Sequence, residues 1–258
     1  MAGLLDGKTA IIFGVANRRS IAWAIAQALA AEGAKLAFTF QGERIEAGVR
    51  ELAGSVGSSL VLPCDVTRDE DLDNVFDTVG KEFGGLDILI HSVAYAAKED
   101  LEGRFTDTKR SNFAMALDIS AYSLTAMVKR AEPLMESRGG GAVLTMTYLG
   151  GERAVQNYNV MGVAKAALDA SVKYLAGELG AKNIRVNAVS AGPLRTLAAR
   201  SIAGFNMMED HYEKRAPLRR NVDAAEVAQT ALFLCSPMST GITGEIVHVD
   251  SGFHAVGF

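Results

Sequence analysis

Seven short apolar runs of β type recur along the chain: "TAIIF" (9–13), "KLAFTF" (35–40), "LVLP" (60–63), "LDILIH" (86–91), "AVLTMT" (142–147), "IRVNAV" (184–189) and "IVHV" (246–249). Between them lie segments of helical period and length, at about 20–32, 43–54, 68–83, 111–137, 158–181 and 223–235. This alternation narrows the possible folds more than any other feature. Strands that are apolar along their whole length and separated by helices form a parallel sheet covered on both faces, because each crossover lays a helix across the sheet. The expected architecture is α/β, a doubly wound parallel sheet of about seven strands (Rossmann-like). Its 258 residues suffice for a sizeable core without staple or partner, and no repeat, low-complexity tract or Pro/Gly/Ser linker marks a boundary, so a single domain is expected. Local signals agree: Asp6-Gly7 turns into the first strand, and Thr67 with Glu70 has the spacing of a capping box before the third helix.

One region breaks the alternation. Residues 192–222 read as short helical pieces with Ile202, Phe205, Met207 and Met208 set among charged residues. Such a stretch is either a solvated excursion with a few core anchors or a lid over an apolar ligand.

The balance of 26 basic and 30 acidic residues, a net charge of −4, gives no overall electrostatic reason to bind nucleic acid or an anionic membrane. The most apolar stretch, residues 21–31, is too short to span a bilayer and stops at Glu32. The start "MAGLLDGK" lacks the basic and long apolar regions of a secretory signal, so the expected location is the cytoplasm. Cys64 and Cys235, far apart in apolar surroundings, read as reduced, packed thiols, which agrees with an intracellular protein. His91, His211, His248 and His254 share no metal-ligand spacing, and no metal site is expected.

In a doubly wound sheet, ligands bind beyond the carboxyl ends of the strands, where the strand order reverses. The first turn, "IIFGVANRRSIAWAIA", places Gly14 after the strand and Ser20-Ile21 at the helix start. Free amides and the positive end of the helix dipole suit a pyrophosphate there, and Ser20 can cap the helix or donate to the ligand. The full G-x-G-x-x-G fingerprint is absent, so the turn alone is also consistent with plain strand-helix geometry. At the end of the second strand, Gln41 can hydrogen-bond a ribose hydroxyl but offers no charge to a 2′-phosphate. Gln41 thus favours NADH over NADPH, while Arg44, a few residues on, is a basic group that a 2′-phosphate could meet. Asp65, ending the third strand, is either an acceptor for an adenine amino group or a solvated strand-end carboxylate.

The stretch 148–168, "YLGGERAVQNYNVMGVAKAAL", brings two tyrosines and a lysine together. Seven helical residues turn through about 700°, so Tyr158 and Lys165 fall within about 20° of one helix face. Tyr148, directly after a strand, stands at the same carboxyl edge as the first turn. A phenol becomes a usable proton donor or oxyanion stabiliser when an ammonium close by favours its phenolate. The plain alternative is a tyrosine packed at a helix start with a snorkelling lysine.

The order of "GVANRRSIAWAIA", "CDV", "HSVAYA", the tyrosines with Lys165, and "NAVSAGPLRT" resembles the short-chain dehydrogenase/reductase superfamily, and within it the NADH-dependent enoyl-acyl-carrier-protein reductases. The likeness covers almost the whole chain. Its most specific element is the seven-residue tyrosine–lysine spacing, where ordinary short-chain dehydrogenases use four. Tyr148 stands where a catalytic serine is usual, "HSVAYA" where "NNAG" is common, and Ser120 aligns with the usual catalytic asparagine.

The resemblance implies reduction of the carbon–carbon double bond of trans-2-enoyl-acyl-carrier-protein thioesters by NADH, in fatty-acid elongation. It assigns the catalytic roles to Tyr158, Lys165 and Tyr148. Gly14, Ser20, Ile21, Gln41, Asp65, Val66, Ser92, Val93, Ala94, Lys165, Leu194 and Thr196 would hold the cofactor. Ala96, Tyr148, Tyr158, Met161 and Phe205 would border the acyl chain. It further implies a homotetramer and acyl carrier protein as partner. The cluster Lys214, Arg215, Arg219 and Arg220 is either a docking face for that acidic carrier or an ordinary solvated face. Two rival readings are a short-chain carbonyl reductase or alcohol dehydrogenase, which the missing serine opposes, and a non-catalytic dinucleotide-binding sensor, which would not need Tyr158 and Lys165 together.

Overall fold

The computed structural model describes residues 3–196 and 204–257. All seven expected strands form: β1 (Thr9–Phe13), β2 (Lys35–Phe40), β3 (Val61–Pro63), β4 (Ile88–His91), β5 (Gly141–Thr147), β6 (Ile184–Ala191) and β7 (Ile246–Val249). They make one parallel sheet in the order β3-β2-β1-β4-β5-β6-β7. The helices are α1 (Ile21–Ala31), α2 (Glu43–Ser55), α3 (Asp69–Phe83), α4 (Arg110–Leu117), α5 (Ser123–Glu136), α6 (Asn159–Leu179), α7 (Phe205–Arg215) and α8 (Ala224–Cys235).

The pleat of β1 shows how one strand serves two cores. Ala10 and Ile12 join Trp23, Leu29, Val227 and Leu234 from α1 and α8 on one face. Ile11 and Phe13 join Leu72, Phe76, Met127 and Leu168 from α3, α5 and α6 on the other. Burial on both faces explains why the strand is apolar at every position rather than at alternate ones. The strand order reverses between β1 and β4: the chain leaves β1 toward β2 and leaves β4 toward β5 on the opposite side, which opens a crevice past their carboxyl ends.

Three local expectations are corrected. No capping box forms at Thr67 and Glu70; Thr67 instead donates both its amide and its hydroxyl to Asp65, and α3 starts without a side-chain cap. The box that does form joins Asp223 and Glu226 at the start of α8. The single helix expected over 111–137 is α4 and α5 joined by a π-helical turn at Asp118–Tyr122. Tyr158 lies outside α6, capping its start with φ −119°, so the helical-face construction does not apply to it. Of the irregular segment 192–222, residues 192–196 and 204–222 are described, and Ile202 lies outside the described residues.

Candidate functional site

A cavity of about 600 Å³ opens along the crevice at the carboxyl edge of the sheet. Gly14, Ser20, Ile21, Gln41, Val66, Ser92, Val93, Ala94, Ala96, Tyr148, Tyr158, Met161, Lys165, Leu194, Thr196 and Phe205 all line it. Asp65 does not; the wall there is Cys64 and Val66, and Oδ1 of the Asp65 carboxylate accepts from the Thr67 amide and hydroxyl.

At the first turn Gly14 has φ +101°, and a Cβ on it would stand 2.0 Å from the Ser92 carbonyl oxygen. Only glycine lets the end of β1 run this close to the end of β4. The Ser20 hydroxyl does not cap α1. It accepts the amides of Ala16 and Asn17 at 3.0 and 3.2 Å, which leaves its proton as a donor at the cavity wall. Beside it the first amides of α1 lack helical acceptors, as at any helix start. This chain therefore fits a dinucleotide without the full glycine fingerprint: a β-carbon-free turn, a hydroxyl donor and a helix N-terminus face one elongated cavity.

Beyond β4 the 92–96 segment is held by Ser120, which accepts the Tyr95 amide at 2.9 Å and donates to the Tyr95 carbonyl at 3.1 Å. Ser120 sits in the π-helical turn and is fully buried, so it braces the cavity wall. His91, also fully buried, contacts Thr145 and Ser123 through its two ring nitrogens at 2.7 and 2.8 Å. Burial pushes its pKa down to about 3, and nearby Lys165 pushes the same way.

Tyr158 and Lys165 are buried on the far side of the cavity. The Lys165 ammonium donates to the Met146 carbonyl, at the end of β5, at 2.7 Å. Burial lowers its pKa to about 8, opposed by Asp169 one turn further along α6. The expected acidification of Tyr158 by this lysine is overturned. Burial drives the phenol above its ordinary range, with Tyr148 and Asp169 adding to the rise. Desolvation disfavours the phenolate, so Tyr158 is a neutral hydrogen-bond donor.

Tyr148 stands edge-on to Tyr158, with ring centroids 4.9 Å apart. Its hydroxyl also meets two α7 residues, Met208 and Tyr212. Met208 and Phe205 face the cavity, whereas Met207 is 72% exposed. The sequence reading passed over Tyr95 and Tyr212. No local pattern marks Tyr212, because its hydrogen bond reaches 64 residues back along the chain.

In the basic cluster Arg220 is paired with Glu226 at 2.8 Å and Arg219 donates to the Lys214 carbonyl, so part of its charge is already engaged. Among the described residues no group of three or more His, Cys, Asp or Glu could hold a metal ion, and no helix is long and apolar enough to cross a membrane.

A doubly wound sheet, a cavity at its switch point and a buried tyrosine–lysine pair define the short-chain dehydrogenase/reductase class, oxidoreductases that use a nicotinamide nucleotide. The family model described as enoyl-(acyl carrier protein) reductase matches residues 14–254. The enoyl-[acyl-carrier-protein] reductase [NADH] of Bacillus cereus is 55% identical over 256 residues, covering 98% of this chain and 99% of its own. The enoyl-[acyl-carrier-protein] reductase [NADPH] of Staphylococcus aureus strain MRSA252 is 52% identical over 254 residues, covering 98% of each. The crystal structure of the Bacillus cereus enoyl-acyl carrier protein reductase with NADP+ and indole naphthyridinone superimposes with a TM-score of 0.97 at 55% identity, over 99% of this chain and 100% of that one. The chain belongs to the enoyl-acyl-carrier-protein reductase family.

Proposed function

We propose that this chain reduces the carbon–carbon double bond of trans-2-enoyl-acyl-carrier-protein thioesters with NADH, as a cytoplasmic step of fatty-acid elongation. The observation that carries this reading is that the un-ionised Tyr158 and Lys165, both buried, line one largely apolar cavity. A bound reduced nicotinamide supplies the hydride that adds to the β-carbon.

That addition pushes negative charge onto the thioester oxygen. Tyr158 donates its phenolic hydrogen bond to this oxygen, in a site shielded from water, and so stabilises charge that exists only as the reaction proceeds. Lys165 orients the cofactor through the nicotinamide ribose hydroxyls and keeps the local potential positive. Gly14, Ser20 and Ile21 hold the pyrophosphate side, and Leu194 with Thr196 the nicotinamide end. Ser92, Val93 and Ala94 support the cofactor along the end of β4. Ala96, Met161, Phe205 and Tyr148 border the acyl chain, with the 192–222 segment as the lid. Asp65 meets the adenine with Val66, and Thr67 holds one of its carboxylate oxygens, Oδ1.

Gln41 supports NADH as the preferred nucleotide: it lines the cavity without a charge for a 2′-phosphate, and Arg44 is not part of that wall. Relatives named for either nucleotide make this the point to measure. A homotetramer, and docking of the acidic carrier on Lys214, Arg215, Arg219 and Arg220, complete the proposal. The test offers NADH with a crotonyl thioester, then with a β-ketoacyl thioester, and follows absorbance loss. Consumption with the first alone is expected. Consumption with the second alone indicates a carbonyl reductase, and with neither a sensor.

A further inference from the structure

We propose that Tyr212, on α7, is a positioning residue that sets the direction of the Tyr148 hydroxyl, making Tyr148 a proton-presenting wall of the acyl pocket with the Met208 sulfur holding the place of a substrate oxygen. The inference rests on the enoyl-thioester reading and deepens it. It starts from a hydrogen-bond chain whose polarity is fixed by chemistry. The Tyr148 hydroxyl lies 3.4 Å from the Met208 sulfur and 3.2 Å from the Tyr212 hydroxyl. A thioether has no proton to give, so Tyr148 must be the donor toward Met208. With its proton committed there, the Tyr148 oxygen can only accept, and Tyr212 must donate to it. The order Tyr212 to Tyr148 to Met208 runs one way.

Tyr212 is built to hold this role. It is 4% exposed, and its ring stacks on Phe253 at 3.7 Å with planes 14° apart. The C-terminal turn thus pins the phenol that pins Tyr148. Tyr148 in turn packs edge-on against Tyr158, and both residues line the same cavity. Burial raises the pKa of Tyr148 and of Tyr212, and both stay protonated across the working range.

A thioether is a weak acceptor, and Met is the most adaptable of the apolar side chains. A carbonyl oxygen entering the cavity can therefore displace the sulfur and accept the Tyr148 hydrogen bond. Without Tyr212, the Tyr148 hydroxyl loses its fixed donor and is free to turn its lone pairs to the ligand instead.

The experiment is a double-mutant cycle on reduction of a crotonyl thioester by NADH. Tyr212→Phe keeps the stacked ring and removes only the hydroxyl. It should lower kcat roughly threefold to tenfold, the effect of one neutral hydrogen bond, and leave the KM for NADH unchanged. Tyr148→Phe should cost at least as much, and adding Tyr212→Phe to it should cost nothing more. Independent, multiplying effects of the two substitutions would overturn the proposal, as would a Tyr148→Phe enzyme as fast as wild type. Should Tyr212→Phe fail to fold, Phe253→Leu loosens the Tyr212 ring with every hydroxyl kept. Its effect on kcat should likewise vanish in the Tyr148→Phe background, and persistence there refutes the coupling. Wild-type protein that consumes no NADH with the crotonyl thioester refutes the enoyl-reductase reading itself, an outcome distinct from an additive cycle.

Discussion

Lys165 should make cofactor capture fail in mildly alkaline solution, well below the pH at which an ordinary lysine discharges. Its side chain is buried, and burial brings the pKa from 10.5 to about 8. A group with that pKa is about nine-tenths charged at pH 7 and about one-tenth charged at pH 9. If the charged amine orients the nicotinamide ribose, kcat/KM for NADH, which reports the free enzyme, should be flat to about pH 7 and fall toward tenfold per pH unit above about 8. Tyr158 adds no competing inflection, since its pKa moves up and away from this window. Asp169 opposes the fall, so Asp169→Asn should move the inflection to lower pH. The linkage to stability has the opposite sense. The folded pKa lies below the unfolded value, so the cost of burying the charge is fully present below about pH 8 and is relieved as pH rises from there to about 10.5. The assay is a pH series of initial rates at limiting NADH, with direct NADH binding by fluorescence alongside. A profile level to pH 9.5, or the same inflection in Lys165→Met, would refute the reasoning.

Tyr158→Phe should slow turnover of a crotonyl thioester by about 100-fold to 1000-fold, the usual effect of losing one oxyanion donor, with NADH affinity nearly unchanged; steady-state rates and a binding titration check both halves. Gly14→Ala forces a left-handed backbone costing about 1–3 kcal/mol and adds the overlap with the Ser92 carbonyl, so both NADH affinity and the unfolding midpoint should drop in titration and urea melts. Buried His91, with a folded pKa of about 3 against 6.5 unfolded, makes the native state lose stability as pH falls below 6.5, toward tenfold per pH unit in the unfolding constant; His91→Asn should flatten that slope in acid melts. High salt should raise the KM for carrier-bound substrate and not for a free thioester if the basic face docks the carrier, and equal effects on both would discard that contact.

The strands and most helices were legible because their signal is local: β1, buried on both faces, is apolar at every position, and a helix-length segment follows it. The cavity wall was legible for the same reason, since residues directly after β1, β4 and β5 must stand at the carboxyl edge of a parallel sheet. The family pattern supplied the rest of the expected residues. Electrostatics was not legible. Spacing put a cation near Tyr158, yet only the enclosed surroundings decide that desolvation wins and the phenol stays neutral. The contacts of Asp65 Oδ1 with the Thr67 amide and hydroxyl were likewise set by turn geometry. The sequence by itself determined the parallel sheet, its switch point and that the residues directly after β1, β4 and β5 reach the crevice. Tertiary structure alone decided their protonation and their partners, because burial and contacts such as Tyr212 to Tyr148 join segments with no local sequence relation.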